Sequence, residues 1–121
     1  MSSSSALVDG EQSLFPASLI SAEVTGALPE GFAIRPLARG DHARGLYECL
    51  AVLTWVGDPA PSADEFRARF DDMARADGTY YFLVVEHAGR IVGTGELVVE
   101  KKLYVFFFFV VSSSFLFRTI C

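Results

Sequence analysis

At 121 residues, 51% apolar and with a net charge of −5, the chain has room for one modest domain and no more. Ten Lys and Arg against fifteen Asp and Glu, with no basic cluster beyond Lys101-Lys102, exclude the electrostatic footprint of a nucleic-acid binder. Cys49 and Cys121 stand far apart and read as reduced thiols, and Met1-Ser2-Ser3-Ser4-Ser5 lacks the basic and apolar regions of a secretory signal, so the expected address is cytoplasmic.

Residues 1–30 are rich in Ser, Gly and Pro and carry only short apolar patches, Leu14-Phe15-Pro16 and Leu19-Ile20, which predicts a flexible leader. Gly31 to Leu37 places Phe32, Ile34 and Pro36 on one side. Pro36 cannot donate to a ladder, so an edge strand ending there is expected. Asp41 is the predicted N-cap of a first helix in which Leu46, Leu50 and Leu53 share a face, with Gly57-Asp58-Pro59 at its exit.

Ser62-Ala63-Asp64-Glu65 has capping-box spacing and opens a second helix with the apolar stripe Phe66, Phe70, Met73 and a solvated face of Asp and Arg. Tyr80–Glu86 and Ile91–Glu100 are β-rich runs around a short turn at His87-Ala88-Gly89-Arg90, an antiparallel hairpin. Strand, helix, helix, hairpin is an α/β (α+β) order in which two helices pack on a mixed sheet that needs further strands.

The pattern stops after Leu103. From Val105 the chain reads Val-Phe-Phe-Phe-Phe-Val-Val-Ser-Ser-Ser-Phe-Leu-Phe, with no alternation, turn chemistry, caps or charge, so no folded element is specified there. The run falls short of the about 20 apolar residues of a membrane span and is broken by serines, so a membrane-tethered form rests on this tail alone. A Phe/Val run is what T-rich non-coding sequence gives on translation, an origin that sequencing the transcript across the codons for Tyr104 and Val105 tests. The expected division is leader 1–30, domain 31–103 and non-domain tail 104–121.

Candidate chemistry is sparse. His42 and His87 have no Cys or carboxylate partner at ligand spacing and read as surface residues, so no metal site is expected. Glu96 and Glu100 share a strand face and could orient or deprotonate an amine, although a paired or solvated role is the simpler reading. Arg90-Ile91-Val92-Gly93-Thr94-Gly95 matches the R-x-x-G-x-G with which GNAT acyl-CoA transferases grip a pyrophosphate. A phosphate loop must lie between a strand and a helix start, where backbone N–H groups converge. Here the motif runs into strand residues, which favours a bulge or close backbone approach.

Several segments together resemble the eukaryotic glucosamine-6-phosphate N-acetyltransferases of the GNAT superfamily. They are Leu14-Phe15-Pro16-Ala17-Ser18-Leu19-Ile20-Ser21, Ala27-Leu28-Pro29-Glu30-Gly31, Ile34-Arg35-Pro36-Leu37, Leu53-Thr54-Trp55-Val56-Gly57 and Arg90 to Gly95 with Glu100-Lys101-Lys102, spanning about residues 14–103. The resemblance implies a partial GNAT fold, its opening β-α-α-β-β units without the later strands and helices. It also implies acetyl transfer from acetyl-CoA to the amine of glucosamine 6-phosphate, by direct attack on the thioester and without a metal, on the route to UDP-N-acetylglucosamine.

Two positions carry over to the sugar phosphate: Thr54 and Lys102, a hydroxyl donor and an ammonium suited to an anion. Trp55 stands where many members have a smaller residue. After Lys102 the family continues with a histidine, a further strand with a Glu-Asp-Ile segment, the pyrophosphate loop and its helix, a tyrosine suited to protonating the CoA thiolate, and strands that complete a homodimer. This chain has Leu103-Tyr104-Val105 instead. The expectation is therefore a truncated, inactive member that retains no acetyl-CoA site and no catalytic residue, and that lacks the homodimer strands. The competing expectation is a non-catalytic module whose exposed strand edge captures a full-length relative. Poor solubility is predicted from Phe106 to Val111.

Overall fold

The computed structural model describes residues 10–100 in full and the backbone of residues 101 and 109–116. Four strands, β1 (Phe32–Pro36), β2 (Tyr80–His87), β3 (Arg90–Lys101) and β4 (Phe109–Leu116), form one sheet in the order β1-β2-β3-β4. Each pairing is antiparallel, so the expected mixed sheet is antiparallel throughout among the described residues. Among the described residues there are also three helices, α1 (Ala22–Gly26), α2 (Leu46–Leu50) and α3 (Ala63–Arg75), and two 3-10 turns, Ala17–Leu19 and Asp41–Arg44.

The β2–β3 hairpin forms where alternation placed it. Ala88 and Gly89 are its two central turn residues, with φ of 53° and 80°, the geometry whose twist matches the flanking strands. Val85 pairs with Gly93 and Glu86 with Ile91, so β3 carries one extra residue, Val92, at a bulge. Alternation then sorts the core. Val84 and Ile91 pack with Leu37, Leu46, Phe66 and Phe70 on the helix side, while Ile34, Val85 and Val92 form a second cluster on the opposite face.

Helix α3 has its capping box. The Ser62 hydroxyl accepts from the Glu65 N–H at 3.1 Å and the Glu65 carboxylate accepts from the Ser62 N–H at 2.8 Å. Its stripe buries Phe66 and Phe70 and leaves Met73 half-buried. The polar side pairs Arg67 with Asp64 and Arg75 with Asp72.

Three expectations are corrected. The first helix is not a single element capped by Asp41. That residue opens a 3-10 turn, Gly45 breaks the chain at φ 89°, and α2 runs only from Leu46 to Leu50. The reason is electrostatic, because the Asp41 carboxylate turns inward to a buried arginine and to the Ala38 N–H. The leader is docked over its described part. Ser13 bridges Ala38, the Leu14 N–H donates to the Leu37 carbonyl at 2.8 Å, and Phe15 is buried edge-on against Tyr81.

Within the tail, for which the sequence specifies no folded element, residues 109–116 form β4, with Lys101 opposite Phe109 and Thr94 opposite Leu116. The edge of β3 offers a row of backbone donors and acceptors, and a Phe/Val-rich run has the β propensity to take it without any alternation.

Candidate functional site

Strand β1, the turn after it and β2 place three charges in the interior. Arg35, Asp41 and Glu86 are 6%, 0% and 2% exposed. Arg35 stands opposite Val84 in the register and so shares its helix-covered face, which is why a charge at this position is buried. Its guanidinium donates to both Asp41 oxygens at 2.8 and 3.0 Å, to Glu86 Oε1 at 3.1 Å and to the Pro36 carbonyl at 3.1 Å. Arg44 adds a bond to Asp41 Oδ1 at 2.9 Å. Burial alone would lower the Arg35 pKa, but the hydrogen bonds and charges of Asp41 and Glu86 more than offset it and raise the value.

This is a scaffold for the loop that follows, because it fixes where α2 starts and therefore where the chain leaves it. At the far end of α2, the Ala51 N–H donates to the Tyr47 carbonyl at 2.8 Å, and the Leu53 and Thr54 N–H groups share the Leu50 carbonyl at 2.9 and 3.0 Å. Thr54 is held there with its side chain exposed, next to Trp55, which is 82% exposed.

Beside this loop lies a cleft of about 450 Å³ between the Asp41–Arg44 turn, α2 and the approach to α3, lined by His42, Tyr47, Glu48 and Pro61 among others. His42 Nε2 lies 2.9 Å from the Pro61 carbonyl, which can only accept, so this nitrogen carries the proton. The His42 ring also meets Tyr47 edge-on at 5.6 Å, and burial pushes the Tyr47 phenol above its ordinary pKa. Hydroxyl, imidazole and carboxylate groups therefore border the cleft, and among the described residues no Lys or Arg lines it. A phosphate group here needs a cation from elsewhere. The residue expected to supply one, Lys102, lies outside the described residues, so Thr54 alone of the expected pair is placed.

A second, more apolar groove of about 690 Å³ lies on the opposite face of the sheet, between the leader and β1–β3, with Phe15, Ile20, Tyr81 and Leu83 in its walls. Thr54 lines neither cleft. Glu96 borders the groove, Glu100 is exposed, and register puts both on one face of β3. His87 is stacked on Phe32 at 4.5 Å.

The Arg90-to-Gly95 motif is strand throughout. Val85, Val84 and Leu83 of β2 stand opposite Gly93, Thr94 and Gly95, so its N–H groups belong to a ladder rather than to a helix start. Among the described residues no group of three or more His, Cys, Asp or Glu is placed to hold a metal ion, and no helix is long and apolar enough to cross a membrane. Sequence reasoning missed the buried charges. The one available signal was Arg35 falling on the strand face opposite Ile34, where only a partnered charge survives burial.

A strand, two helices stacked on one face and a long hairpin, with a bulge in the second hairpin strand, define a partial GNAT-like α+β fold. The comparisons with known proteins agree. The chain is 36% identical over 90 residues to glucosamine 6-phosphate N-acetyltransferase 1 of Oryza sativa subsp. japonica, covering 72% of this chain and 53% of that protein. It is 36% identical over 77 residues to the glucosamine 6-phosphate N-acetyltransferase of Candida albicans, covering 63% of this chain and 50% of that protein.

The crystal structure of glucosamine-6-phosphate N-acetyltransferase from Arabidopsis thaliana superposes with a TM-score of 0.57 at 33% identity, over 61% of this chain and 50% of that one. The chain thus spans about half the length of the relatives it matches. No protein-family model matches it.

Proposed function

We propose that this chain carries the sugar-phosphate side of a glucosamine-6-phosphate N-acetyltransferase. The observation that supports this most is the 90-residue match at 36% identity to the rice enzyme, with the Arabidopsis structure superposing on the same kind of segment. In the complete reaction the amine nitrogen of glucosamine 6-phosphate attacks the thioester carbonyl of acetyl-CoA. The C–N bond forms, the C–S bond breaks, the amine loses a proton and CoA leaves as its thiol, in the cytoplasm and on the route to UDP-N-acetylglucosamine.

In this reading the Thr54 hydroxyl donates to a phosphate oxygen and the Lys102 ammonium neutralises it. In this reading Arg90 to Gly95 does not cradle the acetyl-CoA pyrophosphate, because its glycines are paired with β2 in the β3 ladder. Positioning and oxyanion polarisation supply most of the acceleration in such a transfer, so sugar-phosphate contacts alone give no turnover.

Two measurements on the 121-residue chain test the proposal. With acetyl-CoA and glucosamine 6-phosphate, no thiol is released; robust release would overturn the inactivity. Titration with glucosamine 6-phosphate shifts the NMR amide signal of Thr54, and Thr54→Val weakens that binding. An unshifted Thr54, or an unaffected variant, would remove the sugar-phosphate assignment.

A second reading is favoured by the place of β4, the last strand of the described sheet on the side away from β1. Its outer edge suits strand addition by a full-length relative, which makes this chain a non-catalytic partner. Retention of full-length acetyltransferase by tagged chain supports that reading, and a failure to retain it removes it.

A further inference from the structure

The N-terminal segment does more than lie on the surface. Glu11 Oε2 accepts from Arg44 Nη1 at 2.7 Å and from the Gly40 N–H at 2.9 Å, and Glu11 Oε1 accepts from Arg44 Nη2 at 2.6 Å. Their side chains are only 11% and 13% exposed, so this is a bidentate, largely desolvated pair. Its hydrogen bonds raise the Arg44 pKa well above the ordinary arginine value. Arg44 in turn holds Asp41, and Asp41 holds Arg35, so Glu11 joins the N-terminal segment to the interior network. Just beyond it the chain is stitched by backbone bonds, Arg39 N–H to Gln12 O at 2.9 Å and Leu14 N–H to Leu37 O at 2.8 Å. It then supplies Phe15, Leu19 and Ile20 to the wall of the apolar groove on the far face of the sheet.

We infer that Glu11 is a latch: its carboxylate, seated between the Arg44 guanidinium and the Gly40 N–H, clamps residues 11–15 as a strap, and the groove keeps its leader-side wall only while the strap is clamped. An incoming anion is the weaker alternative for this seat. Among the described ion pairs, Arg35 and Arg44 already face two carboxylates, Asp41 and Glu86, besides Glu11, so those pairs show no surplus of positive charge for an external ligand.

Gly40 supplies a test that leaves the latch carboxylate in the sequence. Its φ of −96° suits alanine, yet a Cβ there would come within 2.8 Å of Glu11 Oε2 and 3.3 Å of its Cδ. Gly40→Ala therefore forces the carboxylate to shift from its seat by bulk alone, and Glu11→Gln removes its charge.

Amide hydrogen exchange by NMR on the 121-residue chain reads the outcome at four sites. Leu14 and Arg39 amides report the strap, whereas the Leu37 amide, bonded to Phe82 O, and the Phe66 amide, bonded to Ser62 O, report the sheet and α3. Loss of a charge-assisted bond predicts about tenfold faster exchange at Leu14 and Arg39 in both variants. Leu37 and Phe66 keep their rates. Unchanged Leu14 and Arg39 rates in either variant, or all four amides accelerating together, would overturn the latch.

Discussion

Asp41 is fully buried and accepts four hydrogen bonds, two from Arg35, one from Arg44 and one from the Ala38 N–H. A carboxylate removed from water so completely is tolerable only because both oxygens face donors, and the arginine facing it has lost its own hydration. Asp41→Asn replaces one accepting oxygen by a donating amide and leaves Arg35 and Arg44 with less counter-charge in the interior. The expected cost is about 3–5 kcal/mol of unfolding free energy, the range for breaking a buried pair by altering one partner. Urea denaturation checks it, and a variant within about 0.5 kcal/mol of the parent, the size of an ordinary surface substitution, would remove the network from the account of stability. Thr54 is the contrasting residue. Its backbone is fixed by the Leu50 carbonyl while its side chain faces solvent, so substitution there leaves the fold intact, and under the proposed sugar-phosphate role its effect falls on binding.

Among the elements, α3 and the β2–β3 hairpin could be read from the sequence because their signals are local. Ser62 and Glu65 are three residues apart and satisfy each other's backbone groups, and the hairpin turn needs only Ala88 and Gly89. The capping box has a pH signature. Hydrogen bonds from the Ser62 backbone, then from its side chain, lower the Glu65 pKa, and the Arg39 hydrogen bond lowers that of Asp71 on the same helix. Each group binds its proton more weakly folded than unfolded, so its contribution is complete above the ordinary carboxylate pKa and is lost as pH falls through the lowered folded value.

The expected result is an unfolding midpoint that falls on acidification below the ordinary carboxylate range, with part of that slope missing in Glu65→Gln. Ser62→Ala costs about 1 kcal/mol at neutral pH. Equal acid slopes in parent and Glu65→Gln, followed by circular dichroism, would show that the box does not couple to protons.

The elements that sequence did not reveal depend on partners outside their own local pattern. The inward turn of Asp41 needs Arg35, and the docking of the leader needs Arg44, 33 residues beyond Glu11. Of the candidate site, Thr54 was visible through family likeness alone, since nothing in the local pattern of α2 marks it. The cleft beside it is assembled from His42 and Pro61, which only the fold brings together.

At the scale of the whole molecule, the two edges of the sheet are treated differently. β1 is five residues long, ends at Pro36, which has no N–H to offer, and gives way to the docked strap where Ser13 bridges Ala38. That edge is blunted. β4 is eight residues long, Phe109–Leu116, and the sequence from Phe106 to Val111 contains no charge, proline or glycine. As the last strand of the described sheet, an edge with that composition is a template for further strands, of the same chain or of a relative.

Edge pairing between copies therefore competes with the monomer, and a single ammonium on the edge strand should tilt the balance, because stacking copies would bring like charges together in a dry seam. Val111→Lys is expected to move the 121-residue chain from large aggregates toward a monomer peak in size-exclusion chromatography with light scattering, with the Trp55 emission spectrum unchanged. A control substitution of the exposed Glu23→Lys on α1 should leave the aggregates as they were. A monodisperse parent chain, or equal aggregation in parent and Val111→Lys, would show that the β4 edge is not what drives association.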